Sequence, residues 1–362
     1  MKRMVISILL LFWFAFSLQA IEIEHLRKIA LFQDAETFIQ KAGSFIVTED
    51  EMVLVFDYKA GHMKIFDLNG KLIKIFGGKG LGPNEFVRPY FSSYSKPYIV
   101  FADFGRKIVF IYKKTGRDTF EFVHKYFCLG MGTDFHLIED GKLMIAGYKL
   151  DDDRNEYYLY QYDFKNDKYE FILPAETSYG FKSFKRFKKE FKETLVYVGL
   201  NQVFDWSDDY IYFIWTGDLR VLKIDRKTKQ IISFGKKTEN YFPPILTPEI
   251  RKAYDQRNHN LLYTLREGMS YVKDIFVLKS NNVCVVNVGP TKSNKGTNVV
   301  LQFYTGTGEF EKEFEVLNAK ASNHYDLYFY INKDRNLFYI MDIETSKDFD
   351  QFYYIHEYRI AE

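Results

Sequence analysis

Residues 76–89 read FGGKGLGPNEFVRP, and residues 98–116 read YIVFADFGRKIVFIYKKTG. The first stretch places four glycines and a lysine within positions 77–82, a composition that suits a phosphate-cradling loop. Its spacing does not. A P-loop needs four residues between its first glycine and a Gly-Lys-Ser/Thr triplet, and the triplet is missing. A dinucleotide loop opens a helix, whereas Pro83-Asn84-Glu85-Phe86 leads toward another extended run. The loop follows one pair of alternating strands and precedes another, which makes it a link between two sheets.

Five segments elsewhere align on a turn: IFDLNGKLIKIF (65–76), IYKKTGRDTFEF (111–122), QYDFKNDKYEF (161–171), KIDRKTKQIISF (223–234) and FYTGTGEFEKEF (303–314). Each joins two alternating strands through Asn, Gly, Thr, Asp or Lys. Asn69-Gly70 is the strongest turn, because both residues tolerate the positive φ of a two-residue hairpin. Two more strand-like runs precede each hairpin, such as SFIVTED with MVLVFDYKAG and KPYIVFAD with KIVFIY. A sixth copy, YDLYFYINKD with LFYIMDIET, continues into FYYIHEYRIAE and lacks its outermost strand. Six copies of a four-strand unit read as the blades of a β-propeller. The unpartnered stretch IEIEHLRKIALF (21–32) is expected to pair with the last blade and close the ring, leaving no open edge.

Composition agrees. The chain has 28 Tyr and 36 Phe against only 8 Pro, and aromatic residues favour strands. A length of 362 residues suffices for a core without disulfides. Net charge is +2, which argues against nucleic acid as a partner. Lys2 and Arg3 followed by an apolar run from Val5 to Phe16 read as a signal peptide over 1–20, with cleavage near Ala20. The mature chain should then be exported to the periplasm, cell surface or exterior, with no transmembrane helix. Cys128 and Cys284 lie in apolar runs and read as separate buried thiols.

Two wide spacings mark insertions. SYGFKSFKRFKKEFKE (178–193) interleaves basic residues with Phe181, Phe184, Phe187 and Phe191, a pattern that puts the rings on one helical face. LTPEIRKAYDQRNHNLLYTLREG (246–268) reads as a helix capped by Thr247, with Pro248 first and Gly268 as its stop.

The run 98–116 resembles an NHL repeat through Ala102, Asp103, Arg106, Lys107, Ile108, Phe110 and Gly116. Phe76, Gly77, Gly80, Gly82, Pro83, Glu85, Phe86 and Pro89 are similar to the blade-to-blade link of bacterial six-bladed propellers of that kind. Asn84 stands where those links usually carry glycine, and Asn also visits left-handed backbone. The resemblance implies an all-β, six-bladed β-propeller of four-stranded antiparallel blades, with short helical insertions, filling 21–362. Related propellers (amidating lyases and regucalcin-like lactonases) bind a metal at the central channel with acids and histidines.

In an up-and-down blade, the turn after the second strand emerges on the link-bearing face. That face is expected to carry Asp57, Asp103, Asn287 and Asp342, together with Lys79, Asn84 and Arg88 of the glycine-rich loop. These seven are the candidate ligand-binding residues, although in NHL repeats the Asp commonly holds the turn. Asp151, Asp153 and Asn155 alternate like the start of a calcium loop, but Glu156 and Tyr162 stand where Gly and Glu belong. Calcium is thus weakly suggested and no other cofactor is. No two of the seven histidines have metal-ligand spacing, and no G-x-S-x-G elbow occurs. The sequence therefore predicts an exported, monomeric, non-enzymatic module that binds a protein, peptide or glycan. The alternative is a metal-dependent lyase or lactonase-like enzyme at the channel mouth.

Overall fold

Alternating apolar residues rich in Val, Ile, Phe and Tyr put most of the chain into β-strands. The computed structural model describes residues 21–362 apart from 33, 35–36, 129–131, 176–201, 218, 244–246, 259–260, 262–267, 291–295, 320–326 and 346–350. A first strand, β1 (Glu22–Ala30), precedes five consecutive antiparallel blades. Blade one is β2 (Ala42–Val47), β3 (Met52–Asp57), β4 (His62–Asp67) and β5 (Leu72–Phe76). The glycine-rich link pairs β6 (Gly78–Lys79) with β7 (Glu85–Phe86). Blade two is β8 (Pro89–Ser95), β9 (Tyr98–Asp103), β10 (Ile108–Lys114) and β11 (Phe120–Phe127). Blade three is β12 (Gly132–Glu139), β13 (Lys142–Leu150), β14 (Glu156–Asp163) and β15 (Lys168–Pro174). Blade four is β16 (Gln202–Trp206), β17 (Tyr210–Trp215), β18 (Val221–Asp225) and β19 (Ile231–Phe234). Blade five is β20 (Tyr271–Val277), β21 (Val283–Pro290), β22 (Thr297–Tyr304) and β23 (Phe310–Ala319).

The sixth blade joins the two ends of the chain. β24 (Tyr328–Asn332), β25 (Leu337–Thr345) and β26 (Gln351–Ala361) supply three strands, and β1 is the fourth. Register runs from Glu22 opposite Ala361 to Ala30 opposite Tyr354. The Phe32 amide then donates to Gly70 O at 2.9 Å, so the closing strand lands on the Asn69-Gly70 hairpin of blade one. Gly70 has φ +80°, and a Cβ there would sit 1.8 Å from Ala30 O. Only glycine fits this approach.

The core is divided into six apolar clusters, one for each pair of neighbouring blades. Phe45, Val53 and Val55 of blade one meet Tyr339, Met341 and Tyr353 of blade six, together with Ile29 and Leu31 from the chain's start. Between blades one and two the key side chain comes from the link. Phe86 is 1% exposed and lies edge-on to Phe101 at 4.9 Å and Phe110 at 5.5 Å. The glycines make this possible. Gly77 has φ +83°, and a Cβ on Gly80 would meet the Glu85 carboxylate at 2.1 Å.

The second insertion begins as expected. Helix α1 (Pro248–Asp255) starts with Pro248, and the Ile250 amide donates to Thr247 Oγ1 at 3.3 Å. The basic-aromatic stretch 178–193 and the segment 1–20 lie outside the described residues. Cys128 and Cys284 are both buried, and neither is in a disulfide. The Asp151–Asn155 run closes on itself as a turn, with Asp151 accepting the Asn155 amide at 2.8 Å and its Nδ2 at 2.9 Å.

Truncation of Phe86 to Ala should leave a cavity between blades one and two. Denaturant unfolding of Phe86→Ala is expected to show a loss of about 3–5 kcal/mol.

The closing blade also carries an acid-sensitive group. His356 on β26 is buried, its Nε2 has no hydrogen-bond partner, and Asp342 Oδ2 lies 4.0 Å away. Burial pushes its pKa down to about 4, with Lys28 and His25 adding repulsion and Glu344 opposing. Unfolded histidine titrates near 6.5, so between about pH 6.5 and 4 the unfolded chain takes up a proton that the folded chain refuses. Stability is therefore full above this window and falls as pH drops through it, by about 3 kcal/mol. Asp342, its carboxyl raised mainly by burial, favours its protonated form in the folded state and offsets part of the loss. Unfolding midpoints of His356→Phe across this range should fall less steeply than those of the unsubstituted chain.

Candidate functional site

The seven residues singled out in the sequence fall into three groups. Asp57 and Asp103 are fully buried clamps. The Asp103 carboxylate accepts the amides of Val87 at 2.9 Å, Arg88 at 2.9 Å and Gly105 at 3.0 Å. Asp57 does the same for Gln40 at 2.8 Å, Lys41 at 3.1 Å and Ala60 at 3.1 Å. Each thus ties the segment entering its blade to the turn after the second strand. Asn287 and Asp342 are 4% exposed, and neither side-chain polar atom of Asn287 has a partner. Lys79, Asn84 and Arg88 are exposed. Asn84 sits at φ +56° and its Oδ1 accepts the Tyr112 hydroxyl at 2.9 Å. None of the seven lines either of the two cavities on the propeller axis.

Those cavities are built from the innermost strands β2, β8, β12, β16, β20 and β24 of all six blades. The cavity on the link-bearing side, of about 470 Å³, is lined by the first residues of these strands. The cavity at the opposite end, of about 310 Å³, is lined by their last residues. Ser92, Asp134, Asp274 and Phe329 belong to both and form a waist between the two mouths.

Local backbone irregularity aims these side chains. β2, β8, β12 and β20 each carry a bulge near their start, at Gly43, Phe91, Thr133 and Lys273. One extra residue rotates the downstream side chains to the other face of the strand. Ser44, Ser92, Asp134 and Asp274 are the residues just after those bulges.

The inner strands are also stitched to one another around the ring. Ser93 Oγ donates to Phe135 O at 2.5 Å, Asp134 accepts the Phe204 amide at 3.1 Å, and Asp205 accepts the Val277 amide at 2.6 Å. Asp274 breaks this pattern. Among the described residues its carboxylate accepts only the adjacent Ile275 amide, at 2.9 Å. Burial, then the neighbouring Asp134 and Asp205, hold its carboxyl well above the usual carboxylate range, and Lys333 opposes them.

The mouth opposite the links has its own chemistry. Lys333 Nζ lies 2.5 Å from Asp205 and 5.1 Å from the centre of the Trp206 ring. His136 Nε2 lies 3.0 Å from Asp134 Oδ1, and its ring meets Phe204 and Trp206 edge-on at 4.9 and 5.1 Å. Among the described residues, no three His, Cys, Asp or Glu side chains form a group that could hold a metal ion.

The sequence reading missed the axial residues. The available signal was an acid recurring in the inner-strand runs GTDFH, VFDW and VKDIF.

No protein-family model matches this chain, and no curated protein matches it. Solved structures do. A member of the DUF4221 family from Bacteroides vulgatus is similar with a TM-score of 0.59 at 14% identity, covering 94% of this chain and 98% of its own. A protein inferred to be exported, from Bacteroides fragilis, gives a TM-score of 0.55 at 15% identity, covering 96% of this chain and 97% of its own. At such identities the likeness shows the propeller fold. Among the described residues no helix is long and apolar enough to cross a membrane.

Because Asp103 satisfies three buried amides, Asp103→Ala should lower unfolding free energy by about 3–5 kcal/mol. Asp103→Asn, which keeps one carbonyl acceptor, should lose less in the same denaturant titration.

Proposed function

We propose that the protein is an exported, ligand-binding propeller whose ligand enters the axial channel from the link-bearing face. The observation that carries this reading is the axial cavity of about 470 Å³ on that face, lined by residues of all six blades. At its waist Asp274 lines both cavities, and among the described residues its carboxyl accepts only the adjacent Ile275 amide. A donor group of a ligand reaching the waist would find an acceptor there without a partner. Export is supported by the apolar run near the N-terminus of the sequence. The NHL-like link between blades one and two supports a propeller of the interaction-module kind.

A second reading, a lyase or hydrolase working at the opposite mouth, has one observation in its favour. The Asp134–His136 pair is a carboxylate orienting an imidazole within a cavity, the arrangement general-base catalysis uses. Loss of lactone or ester turnover in His136→Ala would support it.

The binding reading is tested by filling the channel. Peptides, oligosaccharides and small charged metabolites are screened for a rise in unfolding midpoint. A ligand at a hundredfold excess over its Kd should stabilise by about 2.7 kcal/mol. The shift should vanish in Ser44→Leu and Ser92→Leu, each first shown to fold. Equal shifts in the filled variants, or no shift with any class, would overturn the reading.

A further inference from the structure

The mouth opposite the links carries an excess of negative charge. Five carboxyl side chains line it, Glu49, Asp134, Asp205, Asp274 and Asp334, against the two ammonium groups of Lys96 and Lys333. Protonation of Asp274 and His136 together would still leave this lining negative. The link-side cavity has no such excess, with Lys41 and Lys273 against Asp134 and Asp274. A cleft lined by one sign of charge concentrates ligands of the other, so cations are drawn to this end of the axis.

The waist holds an acceptor for them. Asp274 Oδ1 accepts the Ile275 amide, and its Oδ2 has no partner among the described residues. This oxygen is not sealed within the protein, and the side chain lines both cavities. Burial first, then Asp134 on β12 and Asp205 on β16, oppose its ionisation, while Lys333 favours it. A cation brought from outside would favour the ionised form as well and gain a charge-assisted bond to it.

The wall narrows the kind of cation. Lys333 Nζ shows how an alkylammonium sits here, 2.5 Å from Asp205 and 5.1 Å from the centre of the Trp206 ring. Trp206 and Tyr330 are half-buried and line the same cavity as Asp274. Aromatic faces attract cations, and carboxylates accept their N–H groups. A quaternary ammonium would bring no N–H to Asp274. A metal ion would find no converging set of three acids or histidines among the described residues. The volume of about 310 Å³ suits a ligand the size of a side chain. We propose that the mouth opposite the links is an alkylammonium site, in which a primary ammonium group donates to Asp274 and packs against Trp206. This goes beyond the link-side reading, because the ligand enters from the other end of the axis.

The test is calorimetric titration of the purified full chain with four probes: pentylamine, Nα-acetyl-lysine amide, the neutral isostere pentanol, and calcium chloride. Saturable binding of at least one amine, with none of pentanol, is expected. The tighter of the two amines distinguishes a free amine from a lysine side chain as the source. Asp274→Asn should weaken amine binding about tenfold or more. Its unfolding midpoint should stay level or rise, because one of three neighbouring acids is gone, whereas loss of a merely structural acid would lower it. Trp206→Leu, first shown to fold, should weaken binding about fivefold. Ser44→Leu, which fills only the link-side cavity, should leave amine binding unchanged, so this proposal and the link-side reading fail separately. Binding of neither amine, equal binding of pentanol, or unchanged affinity in Asp274→Asn would overturn the proposal. So would calcium bound in place of both amines, or amine binding lost in Ser44→Leu.

Discussion

Everything in this molecule depends on the pairing of β1 with β26. A sheet whose outer strand is missing leaves a row of unpaired amides and carbonyls, and a ring of sheets adds a second demand. Each blade buries both faces only when it has a neighbour on each side. The apolar cluster between blades six and one draws on Ile29 and Leu31 at the chain's start and Ile355 near its end. Without β1 that cluster loses one wall, and blade six loses its outer strand at the same time. The energetic consequence is cooperative: local contacts build each blade, but burial at the last interface waits on a pairing of residues more than three hundred positions apart.

The links obey the same logic on a smaller scale. A blade cannot rest on the next unless the chain crosses from outermost to innermost strand without leaving buried amides unpaired. Asp57 and Asp103 satisfy those amides, and Phe86 fills the space the crossing opens. The glycine-rich loop is therefore built to bring one phenylalanine inward. Its glycines serve backbone geometry and side-chain clearance, which explains why their spacing matches no phosphate-binding pattern.

Much of the architecture was legible because its signals are local. Hairpin turns such as Asn69-Gly70, the helix start at Thr247-Pro248 and the strand alternation each lie within a dozen residues. The closing strand was legible by subtraction, since 21–32 had no partner before blade one. The channel was not. Its waist draws Ser92, Asp134, Asp274 and Phe329 from four blades, and no sequence window contains two of them. Bulges compound the difficulty, because one added residue exchanges the faces of a strand and breaks the alternation from which orientation is read. The acids that were legible, Asp57 and Asp103, proved to be bonded to backbone and buried away from both cavities.

A closed ring also explains how the channel tolerates groups that ordinary cores reject. Ser44 and Ser92 lack partners, Asp274 keeps company with two other acids, and Phe91 holds a left-handed backbone. Each is unfavourable by itself, and none can relax alone. The strands that carry them are fixed by ladder hydrogen bonds on one edge and by apolar clusters on both faces. The two apolar clusters that flank its blade would have to shift for one inner strand to turn its side chains elsewhere. Asp134 and Asp205 add inter-blade bonds to that frame, whereas the Asp274 carboxyl, bonded among the described residues only to the Ile275 amide, is left for what enters the channel. The two cavities draw their lining from the inner strands of all six blades, and that convergence is the physical reason for placing the site on the axis.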